Sequence, residues 1–341
     1  MKSCLLGVRT PYTVNIGDYI QALASAQFLP TVDGFVEREE LKSYDGEACR
    51  MVMNGWYMYN PDMWPPSEAI TPLFVAFHIN STVKTLMTSP QSIAYLKRHE
   101  PIGCRDRQTQ KLLADKGVDA YFSGCMTLTL GRSFASAEKN ESICFVDPYY
   151  HYEIDLYSVI KNGLYALCHI PTVKALYTRF SSKRKGVSRI LRIAAFHRIY
   201  RRKFDTRMLK SATYVCHVSR AYKNDFKNDE ALLEEARRLV EKYAKAKLVV
   251  TSRIHCALPC LGLETPVIYI DNAQAPVMDT CRLDGLKELF NVIQLDGERF
   301  IDQFETDTVI SSSTKIVNKN GWQKYAGELA DRCKQFISGK S

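Results

Sequence analysis

The 341-residue sequence contains no Cys-x-x-Cys pair. Its eleven cysteines are odd in number and scattered, which argues against a disulfide framework or a zinc site and fits a reducing cytosol. No run of about 18 apolar residues occurs, so no segment is expected to span a membrane. The opening MKSCLLGVRTPYTVNIGD holds an apolar stretch too short for a signal peptide, and Asp18 follows soon after. Internal repeats and dinucleotide or P-loop glycine fingerprints are also missing. One segment lacks acid: residues 183–203, KRKGVSRILRIAAFHRIYRRK, carry nine Lys and Arg and no Asp or Glu. The formal net charge is +9, so the remainder is neutral on balance and the excess marks one surface or segment.

What is present is the pattern of a soluble α/β protein. Hydrophobic content of 46% and charged content of 24% suit a globular chain long enough for two domains. β-Branched runs alternate with helical patterns. Strands are expected at 3–8, 50–54, 73–78 and 101–105, with helices over 17–28, after Ser89-Pro90, and after Asp106 up to Gly117. A second series runs through strands at 142–147, 213–218, 247–251 and 266–270, with helices at 229–245 and 254–263. The alternation predicts two doubly wound, Rossmann-like domains facing a cleft. The first covers 1–135 and the second 136–320, with 183–203 as a basic insertion and 321–341 as a final helix.

Ligands of such sheets bind beyond the carboxyl ends of the strands. Asn15, Gly17 and Asp18 fall after the first strand, and His78, Arg105, Ser252, Arg253 and His255 fall at later ends. In VVTSRIHCALPCLGLETPVIYI, a buried strand turns into a helix through an arginine and a histidine two residues apart. A helix start there offers backbone N–H groups to an anion, Arg253 offers a bidentate fork, and His255 exchanges a proton near neutral pH. Pro259 cannot donate to the His255 carbonyl, so that turn should be loosened. Taken alone, the pair equally fits an arginine on a structural carboxylate and a satisfied core histidine. Arg105-Asp106 alone fits a helix cap better than an anion site, and His78 alone a structural role. The apolar residues within 183–203, from Ile190 to Tyr200, suggest a segment drawn to anionic lipid headgroups, although Arg198 and Arg201 share the side of Ile190. A solvated mobile insertion fits as well, and no recognition motif supports nucleic acid.

The stretches VVTSRIHCALPCLGLETPV, IGCRDRQTQKLLADKGVDAYFSGCMTLTL at 102–130 and NIGDYIQALA at 15–24 together resemble the polysaccharide pyruvyl transferases. Gly103-Cys104 stands where a Ser-x is commoner before Arg105-Asp106. The resemblance implies a glycosyltransferase-B-like fold with the first domain on the acceptor side. It also implies transfer of the enolpyruvyl unit of phosphoenolpyruvate to a hexose of a surface polysaccharide, or of its lipid-linked precursor, as a cyclic ketal. Phosphoenolpyruvate is then the donor substrate, with no further cofactor and no metal. Arg105 and Arg253 would clamp the donor, with Ser252, Asn15, Gly17 and His78 around the substrates. His255 would transfer protons and Asp18 would serve the acceptor. The basic insertion would dock the protein at the cytoplasmic leaflet. A nucleotide-sugar glycosyltransferase of the same architecture, or a silent scaffold of polysaccharide assembly, are the competing expectations.

Overall fold

The computed structural model describes residues 1–8, 14–180, 186–276, 281–302 and 309–339. It is an α/β protein with two doubly wound sheets. In the N-terminal half, Gly34–Glu37, Lys2–Gly7, Cys49–Val52 and Ile70–Leu73 lie side by side in that order, all parallel. A second group, Gly55–Tyr57, Phe77–Ile79, Ile102–Cys104 and Ala120–Phe122, is also parallel. The two groups continue each other. Cys49–Val52 resumes as Gly55–Tyr57, and Ile70–Leu73 as Phe77–Ile79. The step between them runs through Gly55 at φ 156° and Ala76 at φ 52°, where Ser123 Oγ accepts the Ala76 N–H at 3.0 Å.

The C-terminal sheet has the order Thr213–Val215, Ile143–Val146, Leu248–Thr251, Val267–Asn272, Asn291–Asp296, Arg299–Asp302, with only the last strand antiparallel. In both halves the first strand sits between the second and the third. The carboxyl ends beside it therefore form the crevice where the winding reverses.

The helices start where their capping residues dictate. Asn15 caps Ile16–Ala26, Ser89 caps Pro90–Lys97, Asp106 caps Arg107–Ala114 through the Thr109 N–H, and Asn228 caps Asp229–Lys245. Asp229–Lys245 buries Leu232, Ala236, Leu239, Val240 and Tyr243 on one stripe, with acids in its first turn and lysines in its last. The final helix, Trp322–Ser338, returns to the N-terminal half, where Tyr325 meets Phe122 edge-on at 5.2 Å and Arg50 donates to the Ile337 carbonyl at 2.8 Å. Two antiparallel residue pairs, Val14–Asn15 against Val218–Ser219, fasten the halves together. Ten of the eleven cysteines are free thiols, and eight of those are buried as small apolar residues.

From Gly186 on, the basic segment packs as a helix against the protein rather than standing free of it. Residues 183–185 lie outside the described residues, but Gly186–Tyr200 is a helix whose Leu191, Ile193, Phe196, Ile199 and Tyr200 are buried in the protein. Its cations are engaged at the rim of that core. Arg198 and Arg202 converge on Glu298, Arg201 reaches His169, Lys203 pairs with Asp302, and Arg189 donates to the Tyr177 and Phe180 carbonyls. The lone pattern of 183–203 showed its apolar residues but not the partners that draw them inward.

Candidate active site

A cleft of about 250 Å³ opens at the carboxyl ends of both sheets. Asn15, Asp18, Arg105, Ser252, Arg253 and His255 all line it, so six of the eight residues singled out from the sequence meet in one place.

The C-terminal wall is the turn from Leu248–Thr251 into the helix Ile254–Gly262. Thr251 Oγ accepts the Arg253 N–H at 2.9 Å and donates to the Val146 carbonyl, which fixes the turn to the neighbouring strand. Ser252 Oγ donates to the Ile270 carbonyl and accepts the Tyr149 N–H, both at 2.7 Å, so its hydroxyl ties strand ends together. Arg253 Nε donates to Asp147 at 2.9 Å, and its side chain remains 41% exposed. His255 departs from helical geometry at ψ 17°, one turn before Pro259, where no N–H can reach its carbonyl.

The N-terminal wall is the start of Ile16–Ala26. Asn15 Oδ1 accepts the Gly17 N–H at 3.1 Å, and the Ile16 N–H donates to the His217 carbonyl. Gly17 faces His255 so closely that a Cβ there would stand 3.1 Å from the His255 Cβ. Asp18 Oδ1 lies 3.9 Å from His255 Nδ1 and accepts from Gln21 at 3.2 Å. Arg105, leaving the strand Ile102–Cys104, is 2% exposed, and its Nε has no hydrogen-bond partner among the described residues.

Burial governs the protonation of these groups. It drives His255 well below the ordinary histidine value, helped by the charges of Arg105 and Arg282, so the ring is neutral at pH 7. Its Nε2 is buried with no protein partner among the described residues. Burial raises the Asp18 carboxyl, against the pull of Arg38, Arg105 and Asn15. It lowers the Arg105 guanidinium, against Asp106.

His78 stands apart from the cleft lining. Its Nδ1 is 2.5 Å from Asp106 Oδ2 and 3.2 Å from Thr109 Oγ, in a buried cluster next to Arg105 in sequence. Burial and Arg105 hold its ring down to about 4, although Asp106 opposes them.

The cleft also contains residues that the sequence did not single out. Arg38 is buried, donates to Glu39 at 2.7 Å, and lies over the Trp56 and Tyr59 rings at 4.8 and 5.5 Å. Arg282, His217 and Tyr269 complete the wall. Arg38 follows a strand end just as Arg105 does. The run Glu37-Arg38-Glu39-Glu40, however, reads as a solvated charged face, and the short strand before it gives little periodicity. His217 accepts or donates at 2.8 Å with Tyr243, and burial holds it down to about 4.

Four arginines and one carboxylate therefore line a single crevice together with two buried histidines, His217 and His255, whose rings burial keeps neutral at pH 7. Such a site takes an anion, and it can accept a proton beside it. Among the described residues, no group of three metal-ligating side chains converges.

No curated protein matches the sequence significantly. Among solved structures the chain is similar to E. coli heptosyltransferase WaaC with ADP, at 11% identity over 98% of this chain and 100% of that chain, with a TM-score of 0.36. Residues 15–274, which carry every site residue expected from the sequence, match the family described as polysaccharide pyruvyl transferase. On that match over most of its length, the chain belongs to the polysaccharide pyruvyl transferase family.

Proposed function

We propose that the protein is a ketal transferase. It moves the enolpyruvyl unit of phosphoenolpyruvate onto two hydroxyls of one sugar in a surface polysaccharide or its lipid-linked precursor, and releases phosphate. Arg105 carries this reading. Its guanidinium is buried on the cleft wall, and its Nε has no partner among the described residues. A buried cation with an unsatisfied donor costs several kcal/mol unless an anion meets it. Phosphoenolpyruvate bears a carboxylate and a phosphate on one carbon, a compact anion suited to Arg105 on one side and Arg253 on the other. Arg38 and Arg282 add positive potential around it.

The chemistry needs an addition and then a substitution at the same carbon. In the first, a sugar hydroxyl adds across the enol double bond, its oxygen to C2, while the methylene gains a proton. In the second, another hydroxyl of that sugar displaces phosphate from C2 and loses its proton, which closes the ring. His255 is neutral, so it enters as the base that takes the hydroxyl proton, and the resulting imidazolium returns a proton to the methylene or to the departing phosphate. Asp18, 3.9 Å from its Nδ1, orients the ring and stabilises that imidazolium.

Thermal unfolding against a phosphoenolpyruvate titration tests the donor. Saturable stabilisation is expected in the wild type, growing as RT ln(1 + [L]/Kd), and it should vanish in Arg105→Ala and Arg253→Ala. A flat response to phosphoenolpyruvate, with stabilisation by a nucleoside diphosphate sugar, would assign the site to glycosyl transfer instead.

A further inference from the structure

The helix Leu156–Cys168 turns its apolar side outward. At 100° per residue, Leu156, Tyr157, Ile160, Leu164 and Leu167 fall within roughly 100° of one another. Each is more than half exposed, Leu156 at 76% and Leu167 at 68%. The opposite side holds Asn162 and Ala166, both buried, with Asn162 Oδ1 accepting from Arg198 Nε at 3.2 Å. Ile170, at the start of the next helix, Ile170–Arg179, prolongs the apolar surface, and exposed Lys174 lies one turn beyond it on the same face. A contiguous apolar face of this kind marks a surface that something covers.

Its electrostatic setting says what covers it. Residues 156–203 contain twelve Lys and Arg and no Asp or Glu. Glu298 draws in Lys161, Arg198 and Arg202, while Lys174, Arg179 and Arg201 are exposed around these helices. The acids flanking this stretch are few: Glu153 pairs with His151, Asp155 caps the helix at the Ser158 N–H, and Asp205 caps the helix that follows. Two copies of this chain meeting through the stripe would oppose like charges.

We propose that the Leu156–Cys168 helix is a docking surface for an anionic lipid bilayer. Its apolar side chains enter the interface, and the surrounding cations meet the headgroups. This goes beyond the transferase reading and is measured without donor or acceptor, so either can fail alone.

Sedimentation of the full chain with vesicles tests it, comparing phosphatidylcholine containing phosphatidylglycerol with phosphatidylcholine alone. The wild type should sediment with the anionic vesicles at low salt and less so at high salt. Leu164→Ser with Leu167→Ser should cut binding about tenfold or more, with an unchanged circular dichroism spectrum. In Leu164→Trp, the emission of the new indole should move to shorter wavelength on adding anionic vesicles. A wild type that stays in the supernatant at low salt would overturn the proposal. So would a double variant that binds like the wild type, or an added-indole emission that stays unchanged while the Leu164→Trp protein is bound. A wild-type dimer that the double variant dissolves, without vesicle binding, would give the stripe to a second copy of the chain.

Discussion

At His255, opposing influences decide which way a proton moves. Asp18 at 3.9 Å favours the charged ring, while burial and the charges of Arg105 and Arg282 favour the neutral one. The neutral form prevails, so in the proposed reaction the histidine enters as a base. An anion arriving beside it shifts the balance towards protonation, as an acid–base catalyst requires. His255→Gln keeps a polar side chain but removes the titratable nitrogen. Its turnover should fall about 10²–10⁴-fold while the stabilisation by phosphoenolpyruvate is retained. Steady-state rates and thermal shifts on one preparation check this. Loss of the donor response along with the rate would make His255 a donor contact rather than a proton carrier. Arg105 and Arg253 were legible in the sequence because each follows an apolar run that ends in a turn towards a helix. Arg38 was hidden by its charged neighbours, and the hydrogen bonds of His78 to Asp106 and Thr109 join residues about 30 positions apart, which no local pattern reveals.

Among the elements, those with strong local signals appear where their sequence places them. Asp229–Lys245 matches its expected span, and the final helix, Trp322–Ser338, lies inside the expected 321–341. The short strands Gly34–Glu37 and Ala120–Phe122 and the hairpin Asn291–Asp296 with Arg299–Asp302 were not expected. The three- and four-residue strands give too little period to read, and pairing with other strands defines them. The expected strand over 73–78 is in fact two, because Ala76 takes a positive φ and breaks the ladder. A long-range feature of the same kind is the crossing of the Gly131–Phe134 turn over the helix Ile254–Gly262. A Cβ on Gly131 would stand 1.8 Å from the Gly262 carbonyl oxygen, and one on Gly262 would stand 2.3 Å from the Leu128 carbonyl oxygen. Neither obstacle is a side chain that can swing away. Gly131→Ala should therefore cost about 3 kcal/mol or more, the upper range for overpacking, and urea midpoints measure it. A loss of only a few tenths would mean that the two backbones separate freely and that the crossing is not tight in solution.

For the whole molecule, the C-terminal sheet joins two cores. Cys144, Val146, Val249, Val267, Tyr269 and Val292 point into one core, which also contains the N-terminal sheet and the Asp229–Lys245 helix. Their neighbours Ile143, Phe145, Val250, Ile268, Ile270 and Ile293 point into the other, under the basic helix Gly186–Tyr200. A strand cannot leave one core without leaving the other. Far-UV circular dichroism and the fluorescence of Trp56, Trp64 and Trp322 should therefore report one coincident urea transition. Separate midpoints would mean that the helical layer melts alone. The same cores make the protein sensitive to acid. His78, His197 and His217 are held near 4 and His255 well below its ordinary value, in each case chiefly by burial. Their folded values lie below the unfolded value of about 6.5, so between pH 6.5 and 4 the unfolded chain binds protons that the folded chain refuses. Stability is then intact above pH 6.5 and falls as pH drops, by about 1.4 kcal/mol per pH unit for each histidine. Asp18, whose carboxyl is raised, works in the opposite direction as it protonates, but it is one group against these four histidines and half-buried His99, which burial also lowers. Four such histidines approach the whole stability of a typical domain within two pH units, about 5–15 kcal/mol. The urea midpoint should drop steeply from pH 7 to pH 5, and His197→Phe should flatten that slope by about a quarter, because it removes one of the four sites without touching the cleft. A midpoint constant over this range would show that these histidines reach water in the folded protein.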